Sequence, residues 1–445
     1  MSFSVSFITM GCAKNEVDTA HMSDLLVAAG YRVIDDCERA DVVVVNTCSF
    51  IQAATEESIE AILEAAGFEN IAHGNAHLIV AGCMPARYAT DLESELPEVS
   101  RFVPCAEEGT IVDIVGELLA SKRDSRAATP LGYGGQFPES DEGELRDDAH
   151  PVSAYVKISD GCNRFCAYCT IPYIRGRYHS FAEADIEDEV ARLIARGVRE
   201  IVLIAQDTGR WGDDFEEPST LACLLDHLAN NHADTWFRVM YIQPEGVTDE
   251  LIEVVASHDN ICAYFDIPFQ HCDPTILSSM NRKGSGGEYL ELVRRIRDRI
   301  PNATLRTTLI AGYPGETDEQ FESLCDFVEE LEFDYVGVFP YSREEGTRAY
   351  KLENQLDEDE KVERAQRIRD IADAVSSAVI SNRIGQHTYV LICGEEEDGQ
   401  LFGRAQCQAP DVDGVTYVPS GILGEIVPVE IVDTLLYEME GEPTS

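Results

Sequence analysis

The chain has 445 residues, with 82 Asp and Glu against 34 Lys and Arg, a formal charge of −48. A surface of that sign repels phosphate backbones and attracts basic partners, so it is poor ground for nonspecific nucleic-acid binding, although a uniformly acidic proteome explains it as readily. No apolar run approaches the ~20 residues that span a bilayer, and MSFSVSFITMGC has neither the basic start nor the apolar stretch of a secretory leader; the expectation is a cytoplasmic protein, no membrane partner, and 14 reduced cysteines.

Length suggests about three domains at roughly 150 residues each. The fold class expected is α/β with a small all-β end. Residues 1–123 alternate apolar strands (SVSFITMG, YRVID, DVVVVNTC, HLIVAGC) with helical patterns, the first helix beginning near Asn15. The Val run is typical of a strand covered on both faces, so an open parallel sheet is expected here. Residues 124–150 lose all hydrophobic period and collect Gly, Pro and acids, which reads as a linker.

Residues 151–383 repeat a βα unit about six times, through VSAYVKIS, REIVLIAQ, WFRVMYI, CAYFDIP, TLRTTLIAG and DYVGVFPYS. Six units are too few to close an eight-stranded barrel, so a partial (β/α)6 barrel is expected, followed by a long helix from about Asp357 to Arg383. Residues 384–445 switch to short strands (HTYVLIC, DGQLFGRAQ, GVTYVP, EIVPVEIVD) broken by Gly, Pro and Asp, the pattern of a small β-barrel.

Chemistry concentrates in cysteines. Cys162, Cys166 and Cys169 fall in DGCNRFCAYC, the loop after the first barrel strand, at the end where α/β barrels carry their sites. Structural zinc takes four protein ligands, and no fourth of this kind follows. Three thiolates on a four-iron cluster leave one iron open for a ligand. A zinc knuckle or three unconnected thiols is the plain alternative. Cys12, Cys48 and Cys83 each end a strand of the first domain, and topology should bring them to one edge of the sheet, where open α/β sheets bind ligands. Ordinary buried thiols are the competing reading. The other cysteines, Cys105 among them, show no ligand spacing and default to packing.

The C-x3-C-x2-C spacing, with Tyr168 before the last cysteine, resembles the radical S-adenosylmethionine (SAM) superfamily. Cysteine-bearing first domain, partial barrel and terminal TRAM-like barrel, in that order, resemble the methylthiotransferases over all but the linker. The resemblance implies two 4Fe-4S clusters on Cys12, Cys48, Cys83 and on Cys162, Cys166, Cys169. It further implies SAM as the source of both methyl group and radical, and a sulfur donor and an electron donor as partners. Gln206 and Asp207 end the second barrel strand, where the family contacts the SAM amino group; helix capping explains Asp207 equally. Gly312 and Gly315 resemble the family's SAM-proximal segment, although an ordinary turn accounts for them as well. His271 reads as a hydrogen-bonded structural residue. No P-loop, HExxH or carboxylate pair suggests a hydrolase, and no general acid or base stands out.

The family has a branch acting on isopentenyl-adenosine in tRNA and a branch acting on an aspartate of the twelfth small-subunit ribosomal protein. MGCAKNEVDTAHM, IAQDTGRWG, YFDIPFQHCD, GYPGETDEQF and FDYVGVFPYSREEGT are similar to the ribosomal branch. QAPDVDG resembles that branch's APE-x-DG stretch, with Asp411 where Glu is usual. From 383 onward only Arg383 and Arg404 stand against twelve acids, which suits a basic ribosomal protein and not tRNA. The expected activity is methylthio insertion at that aspartate's β-carbon. The tRNA enzyme is the nearest alternative, and a non-catalytic iron–sulfur carrier or assembly factor is the alternative of another class.

Overall fold

A computed structural model describes residues 3–127 and 152–444. They form two compact units, one of residues 3–127 with Thr170–Gly176, the other of the remaining described residues. From 128 on, the expected linker lies outside the described residues; its first four residues continue a helix.

In the first unit, strands β1 (Ser4–Thr9), β2 (Arg32–Val33), β3 (Val42–Thr47), β4 (His77–Gly82) and β5 (Arg101–Pro104) build one sheet of order β2-β1-β3-β4-β5, with every pairing parallel. Helices α1 (Ala13–Ala28), α2 (Gln52–Ala66), α3 (Glu69–Ala72), α4 (Cys83–Glu95) and α5 (Ile111–Ala127) connect the strands and close the unit, and α6 (Ile171–Ile174) belongs to it. The Val run behaves as its composition demands. Val42 and Val44 pack with Met22, Leu26, Ile111 and Val115 on one face, Val43 and Val45 with Ile62, Ala65 and Leu92 on the other. Alternation along a strand thus feeds two cores from four identical residues. Two expectations shift. The first helix begins at Ala13, because Cys12 already serves as its N-cap residue, and YRVID yields only the two residues of β2.

The second unit opens with β6 (Ser153–Lys157), and a short antiparallel pair, β7 (Ser159–Asp160) with β8 (His179–Ser180), frames the cysteine loop. Then follow α7 (Glu183–Ala195), β9 (Glu200–Ile204), α8 (Leu221–Asn231), β10 (Trp236–Val239), α9 (Asp249–Ser257), β11 (Tyr264–Asp266), α10 (Pro274–Ser279), α11 (Gly286–Arg299), β12 (Thr304–Ala311), α12 (Asp318–Leu331) and β13 (Tyr335–Pro340). The parallel sheets β6-β9-β10 and β11-β12-β13 meet through a bridge between Phe237 and Ile261, giving the open six-stranded barrel expected. Helix starts are written locally: Thr220, Thr248, Asp273, Ser285 and Thr317 each accept an N–H bond at the head of α8 to α12. Each such cap is worth about 1 kcal/mol.

Helix α13 (Glu358–Ser381) lays Ala365, Ile368 and Ala372 into the barrel core. Strands β14 (His387–Glu395), β15 (Leu401–Ala405), β16 (Thr416–Val418), β17 (Ile426–Leu435) and β18 (Glu438–Pro443) then close a barrel of order β14-β15-β16-β18-β17. It is clamped to the larger barrel by buried charge. Glu200 of β9 takes Arg238 of β10 at 2.8 Å and Arg404 of β15 at 2.6 Å. The QAPDVDG segment adds hydrogen bonds, Tyr155 donating to Asp411 at 2.6 Å and Tyr264 to Asp413 at 2.7 Å. Among the described residues no helix is long and apolar enough to cross a membrane.

Candidate functional sites

In the first unit the carboxyl ends of β3, β4 and β5 are followed directly by Cys48, Cys83 and Cys105, and that of β1, after Met10 and Gly11, by Cys12. Chain order reverses between β1 and β3, and such a switch point opens a crevice at the carboxyl edge. Cys12 and Cys48 flank it, and the charges of Cys12 and Cys83 both bear on the Cys48 thiol. Two glycines make the approach possible. Gly11 has φ +96°, and a Cβ there would overlap the Cys48 side chain; Gly82, at φ +95°, leaves no room for one beside Asn46 and Thr47.

Asn15, fully buried in α1, ties this edge together. Its Nδ2 donates to the carbonyls of Met10 at 2.8 Å and Thr47 at 2.9 Å, joining the ends of β1 and β3. Its Oδ1 accepts from Arg175 Nη2 at 2.8 Å and lies 3.9 Å from Cys83 Sγ. Arg175 also pairs with Asp18 at 2.8 Å and lies 3.8 Å from Cys83 Sγ, so a buried guanidinium faces the thiols. Sequence reading passed over Asn15, Asp18 and Arg175. The spacing Cys12-x2-Asn15-x2-Asp18, which places all three on the first turns of one helix, was the available signal. Burial pushes the Cys48 thiol up to about 12 against the opposing backbone N–H of Phe50. The neighbouring Cys105 thiol lowers Cys83, and Cys83 together with burial raises Cys105.

In the second unit Cys162, Cys166 and Cys169 lie on the loop after β7, at the carboxyl end of the barrel's first strand. The loop is pinned from several sides. Asn281 Nδ2 donates to the carbonyls of Arg164 and Phe165, Ala167 N–H to Met280 O, and Ala349 N–H to Ala167 O. Phe165 takes the uncommon φ of +49°, and Cys169 N–H closes the turn onto Cys166 O at 3.0 Å. Arg282 Nη1 stands 4.0 Å from Cys166 Sγ, its Nη2 anchored on Pro268 O at 2.7 Å. Burial raises Cys162 to about 11, opposed by the Arg164 backbone N–H. A cavity of about 650 Å³ reaches Cys166, with Arg164, Glu245 and Asn281 in its wall.

Among the described residues no three His, Cys, Asp or Glu converge closely enough to bind a single metal ion. Three thiols strung along one loop, and three more over three strand ends, are instead an all-sulfur donor set, the usual ligands of iron–sulfur clusters. The donors therefore fit multi-iron groups.

The remaining expected residues separate. Gln206 follows β9 by two positions, and both atoms of its amide are buried without a partner. A polar group left so costs about 1–3 kcal/mol unless a ligand satisfies it. Gln243, after β10, has its Oε1 in the same condition and went unanticipated. Asp207 caps no helix through its side chain, contrary to that option; its carboxylate holds Arg164 at 2.6 and 3.1 Å. Gly312 is at φ +75° with its N–H bonded to Glu316, and a Cβ would meet Lys361 Cγ at 2.7 Å. His271 is fully buried, Nδ1 accepting from Asp273 N–H at 3.0 Å and Nε2 facing Glu316 at 3.4 Å, the structural role expected.

Known proteins bear on both units. Residues 4–104 match Uncharacterized protein family UPF0004, 156–328 the Radical SAM superfamily and 384–443 the TRAM domain. Along its whole length the chain is 40% identical to "Ribosomal protein uS12 methylthiotransferase RimO" of Natranaerobius thermophilus, covering 99% of both chains. It is 41% identical to the protein of that name from Symbiobacterium thermophilum, covering 99% of this chain and 91% of that one. The chain belongs to the RimO family. Among solved structures, the radical SAM methyltransferase TsrM from Kitasatospora setae, with cobalamin and a [4Fe-4S] cluster bound, superposes at a TM-score of 0.56 and 16% identity over 77% of this chain and 74% of that chain. At that identity the likeness supports the fold alone. RimO membership covers both cysteine sets and the terminal barrel.

Proposed function

We propose that this chain is a SAM-dependent methylthiotransferase acting on ribosomal protein uS12, inserting a methylthio group at the β-carbon of an aspartate. The observation that carries the reading is end-to-end similarity, at about 40% identity, to proteins bearing that name. It favours the ribosomal branch over the tRNA branch. Two all-cysteine sets at strand ends favour an enzyme over a passive carrier.

Cys162, Cys166 and Cys169 would hold one 4Fe-4S cluster, and Cys12, Cys48 and Cys83 a second. When bound, the first supplies an open iron for SAM and the electron that cleaves it. The protein's own part is positional. Arg282 sets the charge beside Cys166, the Asn281 and Met280 contacts fix the loop, and the Gln206 amide offers a donor and an acceptor to bound SAM. Gly312 holds a tight turn against Lys361 of α13. In the first unit Asn15 and Arg175 hold the strand ends and place positive charge beside thiolates.

The terminal barrel suits a basic partner. Glu396, Glu397, Asp398, Glu440 and Glu442 line a groove of about 880 Å³ beside Tyr417. We assign this face to docking of uS12 in its free or ribosome-bound form.

The test is anaerobic reconstitution with iron and sulfide, then SAM and a reductant. 5′-Deoxyadenosine should be released by the intact protein and lost in Cys162→Ala. A Cys12→Ala, Cys48→Ala, Cys83→Ala triple variant should still cleave SAM while transferring no methylthio group. Absence of cleavage by the intact protein would leave the carrier reading standing.

A further inference from the structure

Cys105 is a fourth thiol at the edge that carries Cys12, Cys48 and Cys83, and the proposed chemistry does not use it. Its position is set by register. Gly82 of β4 is paired with Pro104 of β5, so Cys83 and Cys105 leave adjacent parallel strands at the same level. Neighbouring strands run about 4.8 Å apart. Disulfides need α-carbons about 4.4–6.8 Å apart, a range that includes the spacing of paired strands. Cys83 is buried and Cys105 half-buried, leaving the pair a solvent-facing side on Cys105. β5 is the edge strand of the sheet, next to β4, whereas β3 lies between β1 and β4. Cys105 therefore stands on the outer flank of the set, as a partner to one member.

We propose that Cys83 and Cys105 form a reversible disulfide in the cluster-free protein, so that Cys83 is either a cluster ligand or half of a disulfide. A low-molecular-weight disulfide is the oxidant. One thiolate attacks it and releases one reduced thiol; the second protein thiolate attacks the mixed disulfide and releases the other. Two protons and two electrons leave the protein as one S–S bond forms, and a dithiol reductant reverses the exchange. Oxidation thereby closes the first unit to iron and leaves the second unit's loop unaffected. This gating rests on the reading of Cys83 as a ligand; the disulfide itself does not.

The full-length chain, stripped of iron by chelation, is incubated anaerobically with glutathione disulfide, alkylated and cut with a glutamate-specific protease. That cut places Cys12, Cys48, Cys83 and Cys105 on separate peptides. Mass spectrometry should find the Cys83 peptide linked to the Cys105 peptide, and Cys105→Ser should lose that link. Cys83 joined to Cys12 or Cys48, or left open to alkylation, would overturn the proposal. Oxidised protein should then load about half the iron of reduced protein; full loading with the link intact would overturn the gating. Cys83→Ser reports separately: if it keeps full iron loading while wild type still forms the link, the ligand reading fails and the disulfide survives.

Discussion

Gln206 carries a buried amide that bonds to nothing in the chain, a cost of about 1–3 kcal/mol that a ligand can recover. Gln206→Leu keeps the volume and removes the orphan. We expect it to leave stability unchanged or raised by about 1 kcal/mol while weakening SAM binding about tenfold or more. Thermal unfolding and equilibrium SAM binding check the two halves, and a variant that loses stability without losing SAM affinity would show that Gln206 is a packing residue. At this scale the sequence was informative where residue type alone implies chemistry. The six cysteines stood out by spacing in one set and by their place after strands in the other, and the structure puts Cys162, Cys166 and Cys169 on one loop after β7 and Cys12, Cys48 and Cys83 just past the ends of β1, β3 and β4. Asn15, Asp18 and Arg175 did not stand out, because an amide, a carboxylate and a guanidinium are common anywhere. Their value lies in meeting across the fold, Arg175 coming from a segment 160 positions beyond Asn15.

Elements were legible in proportion to their hydrophobic pattern. The Val run of β3 and the barrel strands declare themselves, whereas β5 was overlooked because RFVP is short and ends in Pro. The last strand, β18, was overlooked because EMEGEP reads as a charged tail; it pairs with β16 and β17 through its backbone while exposing Glu440 and Glu442. Loop geometry was the other blind spot. Gly11 looked like any glycine after a strand, yet it lets Cys12 approach Cys48. Gly11→Ala adds left-handed strain of about 1–2 kcal/mol to an overlap with Cys48. The expected outcome is a first unit destabilised by at least that amount by denaturant unfolding, and iron loading reduced toward one cluster per chain.

Across the second unit, the buried ion triad joins the terminal barrel to the larger one. Burial opposes ionisation of Glu200, but Arg404 and Arg238 outweigh it and hold the carboxyl down to about 2. A carboxyl lowered on folding contributes stability that is full above its unfolded value, about 4.3, and is lost as pH falls toward the folded one. Glu200→Gln leaves two buried guanidinium groups without their counter-charge, a loss of about 3–5 kcal/mol near neutral pH. The gap between variant and wild type should narrow as pH drops from about 4 toward 2, read by urea unfolding across that range. A gap independent of pH would place the effect in packing. The charge of the whole chain was plain from composition, but the triad was not, since Arg404 is one of two basic residues from 383 onward and nothing local marks its partner.

The central claim is the substrate, and a direct contest tests it. The protein, reconstituted anaerobically with iron and sulfide, is given SAM, a reductant and a sulfur source, with uS12 and isopentenylated tRNA in the same tube. Mass spectrometry of both should find a methylthio adduct on an aspartate of uS12 and none on the tRNA. An adduct on the tRNA alone would contradict the account and reduce the acidic face of the terminal barrel to background charge.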